Sequence, residues 1–395
     1  MRCYWLTEST TRNIVSTAVF NLFRGLAASG FNVLFAAYMS RLGYSIGEIG
    51  AVATVSNILG ALLSPLVGYL LEIYSSRLIT TLTGFMIGIS LAIVAFSENI
   101  AALALSYSLF HLSIYFAQPA RMVFLSKTID RNKLGTVVGL TTSTFTVSRA
   151  IGPVLSGYLV VSFKYVYAFL SLSAIAIVGS LAFLLLSCEP DVERRPTVNS
   201  IADSYRRAIT PSRELATLYL FTSLDRAAWN LWHPMLSAYL LDHGYSEVDV
   251  GMLVSLSNIV EAIGTPITGR LVDRLGSSIA LALSEVTAAL AAVLLVFPST
   301  FPLCVASMLF IGVSISLWIP GYNVYVARVF RNIGEAFASI NAVRSIVSIP
   351  SPYLGGLLYE SVSSLAPFTL STSMLFVATY IASNSLKRFE KLEER

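Results

Sequence analysis

Forty consecutive residues occur twice in this chain, and the repeat restricts its architecture more than any other feature. Tyr38–Arg77 aligns without a gap on Tyr239–Ser278, 201 positions later, with 13 identities. Gly43-Tyr44-Ser45 falls on Gly244-Tyr245-Ser246, Ser56-Asn57-Ile58 on Ser257-Asn258-Ile259, and Pro65 on Pro266. The same offset pairs Ser113-Ile114 with Ser314-Ile315, Pro119 with Pro320 and Val123 with Val324. Further on it becomes 199, so that Gly152-Pro153 and Ser156-Gly157 meet Ser351-Pro352 and Gly355-Gly356. Small changes of loop length account for the drift. The chain is two copies of one folding unit.

Each copy belongs in a membrane. Of 395 residues 55% are hydrophobic and 12% charged, with a mean hydropathy of +0.72, whereas soluble domains carry about a quarter charged residues. Apolar runs of roughly 20 residues recur, long enough to cross about 30 Å of hydrocarbon as helices with every backbone group bonded internally. They lack the polar-apolar alternation of barrel strands. The pattern predicts an all-α integral membrane protein with twelve transmembrane helices in two pseudo-symmetric six-helix bundles. The helices are expected at 13–40, 46–71, 78–96, 100–125, 136–161 and 165–187, then 214–241, 247–272, 278–297, 301–327, 334–359 and 365–386. Residues 1–187 form one bundle, 188–213 a polar linker and 214–395 the second bundle. Six helices per copy is an even number, so both copies enter the membrane in the same direction. The first run lacks a cleavable-signal pattern and is expected to remain as helix 1.

Basic residues orient the chain. One side collects twenty of them, from Arg2 and Arg12 through the linker to Arg395, and the other only Arg41 and Lys164. The positive-inside rule therefore predicts a multi-pass protein of the cell membrane with both termini and the linker cytoplasmic. The net charge of +4 follows this topology and implies no nucleic-acid partner, since no soluble basic module exists. Cys3, Cys188 and Cys304 are far apart, without metal or redox spacing, and are expected to be free thiols. No cofactor and no metal are expected.

Two motifs carry a resemblance. The second copy ends Gly269-Arg270-Leu271-Val272-Asp273-Arg274-Leu275-Gly276, where the first has Gly68, Glu72 and Arg77. This resembles the glycine-x-leucine-x-aspartate-arginine-x-glycine loop between the second and third helices of each half in the major facilitator superfamily. Gly152-Pro153-x-x-Ser156-Gly157 is similar to that family's glycine-proline-x-x-glycine-glycine element. The resemblance implies that Glu72 and Asp273, with Gly68, Gly269 and Arg274, form a cytoplasmic gate, although the first copy departs from the pattern at Glu72, Ile73 and Ser75. A carboxylate on a short loop suits such a role, because it can sit against a helix N-terminus and a nearby arginine. The alternative is a tight turn with topological anchors.

Ionisable groups at membrane depth are costly and point to function. The spans contain Arg24, Arg149, Asp225, Arg226, Glu261, Glu285 and Arg344. The resemblance puts six of them on helices that line or flank a central cavity and leaves Glu285 on a peripheral one. Arg24 and Arg226, related by an offset of 202, form a candidate anion clamp, since guanidinium forks suit carboxylate and phosphate. Asp225 and Glu261 are candidate proton carriers, because burial and a nearby arginine act on a carboxyl in opposite directions. Static ion pairs or snorkelling arginines are the alternative. Tyr115, Trp229, Trp232, Trp318 and Tyr322 are candidate cavity aromatics, though aromatics also pack and form interfacial belts.

No nucleotide-binding loop, zinc-protease helix or nucleophile elbow is present, so neither an ATP-driven pump nor an enzyme is expected. The expectation is a secondary transporter working by alternating access, a functional monomer in membrane lipid that takes a small-molecule substrate and protons. Proton-coupled export of amphipathic organic compounds, that is, efflux by an antiporter, comes first. Uptake or exchange of a small organic anion through an arginine-lined cavity is second. A transporter-like receptor or lipid scramblase is the rival from another class.

Overall fold

A computed structural model describes residues 6–63, 66–129, 131–189, 212–298, 300–330 and 333–393. The described part of the first half comprises α1 (Leu6–Arg41), α2 (Ile46–Leu63), α3 (Leu66–Ile73), α4 (Ser76–Phe96), α5 (Ile100–Thr128) and α6 (Arg131–Leu186). The second half comprises α7 (Arg213–Asn230), a 3-10 turn (His233–Met235), α8 (Leu236–Asp242), α9 (Glu247–Leu275), α10 (Ser277–Leu294) and α11 (Phe301–Val329). It continues with α12 (Ile333–Val347), α13 (Ser351–Ser361), α14 (Ala366–Tyr380), a π segment (Ile381–Leu386) and α15 (Lys387–Glu393). No strand occurs among the described residues. Most of the linker, 190–211, lies outside them.

Nine of the described helices are long and apolar enough to cross a membrane. Three local departures separate this number from twelve. The fifth and sixth spans run on as α6, joined through Lys164 at φ 70° and ψ 164°. The seventh breaks into α7, the 3-10 turn with Pro234, and α8. The eleventh breaks before Ser351, at Pro350 and Pro352, into α12 and α13. Proline lacks an N–H and clashes with the preceding turn, so a helix tolerates it poorly.

Sequence determines these helices locally. Ser75, Asn99 and Ser212 cap α4, α5 and α7 by accepting the amides of Leu78, Ala101 and Leu215. Hydroxyls within the spans bond back to carbonyls one turn earlier, as Thr17 does to Asn13 at 2.8 Å and Ser29 to Gly25 at 2.7 Å. This satisfies them in a medium without water. The glycine-proline element gives close packing. A methyl at Gly152 would meet the Leu26 carbonyl oxygen at 2.7 Å, and one at Gly157 the Glu247 carbonyl oxygen at 2.5 Å.

The chain divides into two compact units that exchange helix ends. One contains residues 1–38, 58–199 and 247–251, and the other 39–57, 200–246 and 252–395. In the second, Glu360 accepts the Gly47 amide at 2.6 Å and Thr54 Oγ1 accepts the Tyr353 amide at 3.0 Å. In the first, the Tyr165 hydroxyl donates to Glu247 at 2.9 Å.

The repeat reappears in three dimensions. Gly43 and Gly244 both have φ of 89°, in turns closed by the Gly43 amide on Ser40 O at 3.0 Å and the Gly244 amide on Leu241 O at 3.0 Å. Only glycine takes this conformation without strain. Glu189 accepts from the Ser76 hydroxyl at 2.7 Å and the Arg77 amide at 2.7 Å, with Lys127 Nζ at 3.3 Å. In the other copy Glu390 accepts the amides of Ser277 at 2.8 Å and Ser278 at 3.0 Å and both hydroxyls, with Arg328 at 3.4 Å. Ser76, Lys127 and Glu189 match Ser277, Arg328 and Glu390 at the offset of 201. Each carboxylate caps the helix that opens the third span of its half.

The cysteine expectation fails at one position. Cys304 is a buried free thiol, but Cys188 is disulfide-bonded; Cys3 lies outside the described residues. Spacing carried no hint, because folding returns the end of α6 to the start of α1. There Asn13 Nδ2 donates to Cys188 O at 2.8 Å and Asn13 Oδ1 accepts the Cys188 amide at 2.7 Å.

Burial alone would raise the Glu390 carboxyl, but the Ser277 and Ser278 donors outweigh it and hold the group below its ordinary value of 4.5. A depressed folded value adds stability above the unfolded value, and that stability is lost as pH falls through the folded one. Glu390→Gln therefore lowers the melting temperature in detergent at pH 7, by about 1 kcal/mol of stability. The gap to the parent closes as the pH is taken below 4.5, and a gap that persists there contradicts the cap. Gly43→Ala and Gly244→Ala each destabilise by roughly 1 kcal/mol, read as matched losses of melting temperature.

Candidate functional site

Between two apolar layers of the second half lies a charged one. Ala228 of α7, Ala288 and Ala289 of α10 and Leu375 of α14 pack together on one side. Phe221, Leu281 and Ala378 of the same three helices belong to the cluster on the other. Asp225 follows Phe221 by one turn and precedes Ala228 by another, and Glu285 holds the same register between Leu281 and Ala288. Asp225 is 8% exposed and Glu285 0%.

Asp225 accepts a hydrogen bond from the Trp229 side chain one turn along α7, and the charges of Arg344 and Arg226 act on it. On the other side it acts on Glu285, whose two carboxyl oxygens have no hydrogen-bond partner. The Arg344 guanidinium lies over Trp318 at 5.3 Å and Tyr322 at 5.8 Å, rings that stack at 4.6 Å. Helices of one unit thus meet in a buried set of carboxylates, guanidinium groups and aromatic faces. Glu261 of α9 is also buried and engaged in contacts of its own. Burial and nearby arginines act on a carboxyl in opposite directions.

In the first half, Arg24 and Arg121 are the buried arginines among the described residues. Arg24 of α1 is 6% exposed, with its guanidinium 5.0 Å from the Phe145 ring of α6. The charges acting on it are those of Arg121 and Arg149. Arg121 donates to Asn21 Oδ1 at 2.7 Å, and Asn21 is fixed in turn by its amide bond to Thr141 O at 2.6 Å.

The remaining candidates have varied surroundings. Trp232 donates to Ser371 Oγ at 3.1 Å and packs on Phe368, with its ring centroid 5.2 Å from that of Trp229. Tyr115 packs against the α2 backbone, where a methyl at Gly60 would meet its ring at 2.5 Å. Asp273 and Arg274 are exposed near the end of α9, which also contains Gly269. Gly68 and Glu72 fall in α3, and their side-chain surroundings lie outside the described residues. Arg24 and Arg226 belong to different units. Among the described residues no group of three or more His, Cys, Asp or Glu could hold a metal.

Sequence reasoning missed Glu285 as a neighbour of Asp225, because the resemblance assigned its helix to the periphery. It also counted Arg121 as a topological anchor and overlooked Glu189 and Glu390. A signal existed for the last pair, since they match each other at the offset of the repeat.

Removing a charge that acts on a buried carboxyl, as Arg344 acts on Asp225, costs more than removing both groups. Arg344→Met is expected to destabilise by about 3 kcal/mol, and adding Asp225→Asn recovers roughly 1–2 kcal/mol of that loss. Chemical unfolding in detergent reads the cycle, and strict additivity would mean that the two groups do not interact.

The sequence model of the Major Facilitator Superfamily matches residues 17–352 and 215–388. The multidrug resistance protein MdtG of Escherichia coli strain SMS-3-5 / SECEC is 23% identical over 353 residues, covering 86% of this chain and 84% of its own length. MdtG of strain K12 / DH10B shows the same identity and coverage. Among solved structures, a mutant of the nucleoside transporter NupG superposes with a TM-score of 0.73 at 15% identity, covering 95% of this chain and 98% of that one. An inward-facing, unoccupied bacterial homologue of the human lysosomal transporter Spinster gives 0.71 at 11% identity, covering 98% and 97%. With twelve spans in two repeated halves, the family's loop element and a model match along almost its whole length, the chain belongs to the major facilitator superfamily of membrane transporters and is not an enzyme.

Proposed function

We propose that this transporter couples proton entry to the export of amphipathic organic compounds by alternating access. It works as a monomer in the cell membrane, with both termini cytoplasmic. The observation that carries the reading is Asp225, a carboxyl buried at membrane depth between arginines and a second carboxyl. Intramembrane carboxyls of this kind mark proton relays. Within the second half, a shift of α7 against α12 changes the distance from Asp225 to Arg344; approach favours the carboxylate and withdrawal in a dry environment favours the acid. Proton uptake from one side and release to the other follows from that alternation.

The aromatic faces of Trp229, Trp318 and Tyr322 suit apolar bodies. Similarity to proteins named for multidrug resistance supports outward transport of such compounds.

The test uses the full chain in proteoliposomes with an imposed pH gradient and fluorescent amphipathic dyes of negative, zero and positive charge. Asp225→Asn is expected to reduce gradient-driven dye movement at least tenfold while leaving exchange without a gradient measurable. Gradient-driven movement at parental rates in Asp225→Asn would remove Asp225 from the coupling, and no dye movement in the parent protein would remove the export reading.

A further inference from the structure

We infer that Trp318 and Tyr322 form a hydrogen-bonding subsite for a carbonyl or ether oxygen of the transported compound. The inference rests on the export reading and deepens it, because it names the group by which an otherwise apolar body is recognised.

Several indoles and phenols of the second half are answered by the protein itself. Trp229 donates to Asp225, and Trp232 to Ser371 Oγ at 3.1 Å. Tyr239 donates to Leu295 O at 2.6 Å and Tyr325 to Leu386 O at 3.4 Å. This is the usual fate of a Trp N–H or Tyr O–H away from water. Trp318 and Tyr322, on adjacent turns of α11, depart from it. Trp318 Nε1 and the Tyr322 hydroxyl are both buried, and neither has a hydrogen-bond partner among the described residues. At the offset of the repeat the two positions are Ala117 and Arg121, so the pair is no part of the framework that both halves share.

The two donors belong to one arrangement. Their rings stack at 4.6 Å with planes 20° apart. Tyr322 also meets the Phe337 ring of α12 edge-on at 5.3 Å and is 4% exposed, whereas Trp318 is only partly buried. Tyr322 is thus the closed end of the stack and Trp318 its open end. Arg344, two turns along α12 from Phe337, places its guanidinium 5.3 Å from one ring and 5.8 Å from the other, and its charge acts on Asp225. An indole N–H can only donate, and a phenol O–H can donate beside it. Burying such donors without an acceptor is costly, so an acceptor that reaches them binds more tightly than a group of the same shape that cannot accept. A carbonyl or ether oxygen on a flat apolar body meets the need, because the body stacks on the indole face while the oxygen takes the N–H and O–H. The positive charge beside the stack favours an electron-rich oxygen over a cationic group.

The test is equilibrium binding to the full chain in phosphatidylcholine nanodiscs, corrected with empty discs, at pH 7 without a gradient. The probes are radiolabelled 2-acetylnaphthalene and 2-isopropenylnaphthalene, which has the same shape with a CH2 group in place of the carbonyl oxygen. The ketone is expected to bind at least tenfold more tightly than the alkene. Tyr322→Phe and Trp318→Phe each lower this preference at least threefold, and the double variant abolishes it. Tyr322→Phe leaves alkene binding unchanged, and its melting temperature without ligand equals or exceeds that of the parent, because the variant removes a buried donor that lacks an acceptor. Tyr325→Phe serves as the control: it keeps the preference and lowers the melting temperature, since its hydroxyl donates to Leu386 O. Equal binding of the two probes to the parent, no binding of the ketone, or a parental preference in the double variant overturns the inference. So does a melting temperature that falls in Tyr322→Phe as it does in Tyr325→Phe, for the hydroxyl then has a partner within the protein. Binding needs no gradient, so loss of proton-driven movement with the preference for the ketone intact removes the export reading alone.

Discussion

A charge placed in hydrocarbon has to be answered inside the bundle, and this requirement organises the interior of the protein. An ionised side chain at the centre of a membrane helix costs on the order of 3 kcal/mol even by lenient scales. A cation over a ring returns about 0.5 to 2 kcal/mol. Contacts with rings alone therefore leave a deficit, and charges gather where several helices can contribute to the answer. Asp225, Arg344, Arg226 and Glu285 converge in the second half for this reason, between apolar layers. The backbone obeys the same requirement. Hydroxyls fold back on their own helices, and breaks occur at proline-containing sites such as Pro234 and Pro350.

Duplication supplied two bundles with one plan, and divergence gave them different electrical characters. The plan survives where it carries structure. Gly43 and Gly244 keep their left-handed turns, and Glu189 and Glu390 still cap equivalent helices beside Lys127 and Arg328. The interior positions have changed sign. Position 24 is an arginine and its equivalent, 225, an aspartate.

The fold was legible because its signals are local or periodic. Run length announced the spans, and the 201-residue offset announced two parallel halves. The sites were legible only in part. Listing intramembrane charges recovered Asp225, Arg226 and Arg344, which do come together, but it linked Arg24 to Arg226 instead of to Arg121 and Arg149. Sequence distance says nothing about which faces meet, and Arg121 near the end of a span looks the same whether it anchors at an interface or turns inward.

By itself the sequence determined the number of spans, the duplication and the family, since each depends on chain composition and spacing under the single demand that a membrane helix bond its own backbone. Only the tertiary structure decided which charges share a layer and where helix ends are exchanged between compact units. It also decided which carboxylates cap which helices. Those facts depend on packing between segments that the chain separates by a hundred residues or more, as Glu189 from Ser76 and Arg121 from Asn21, and no local pattern encodes them.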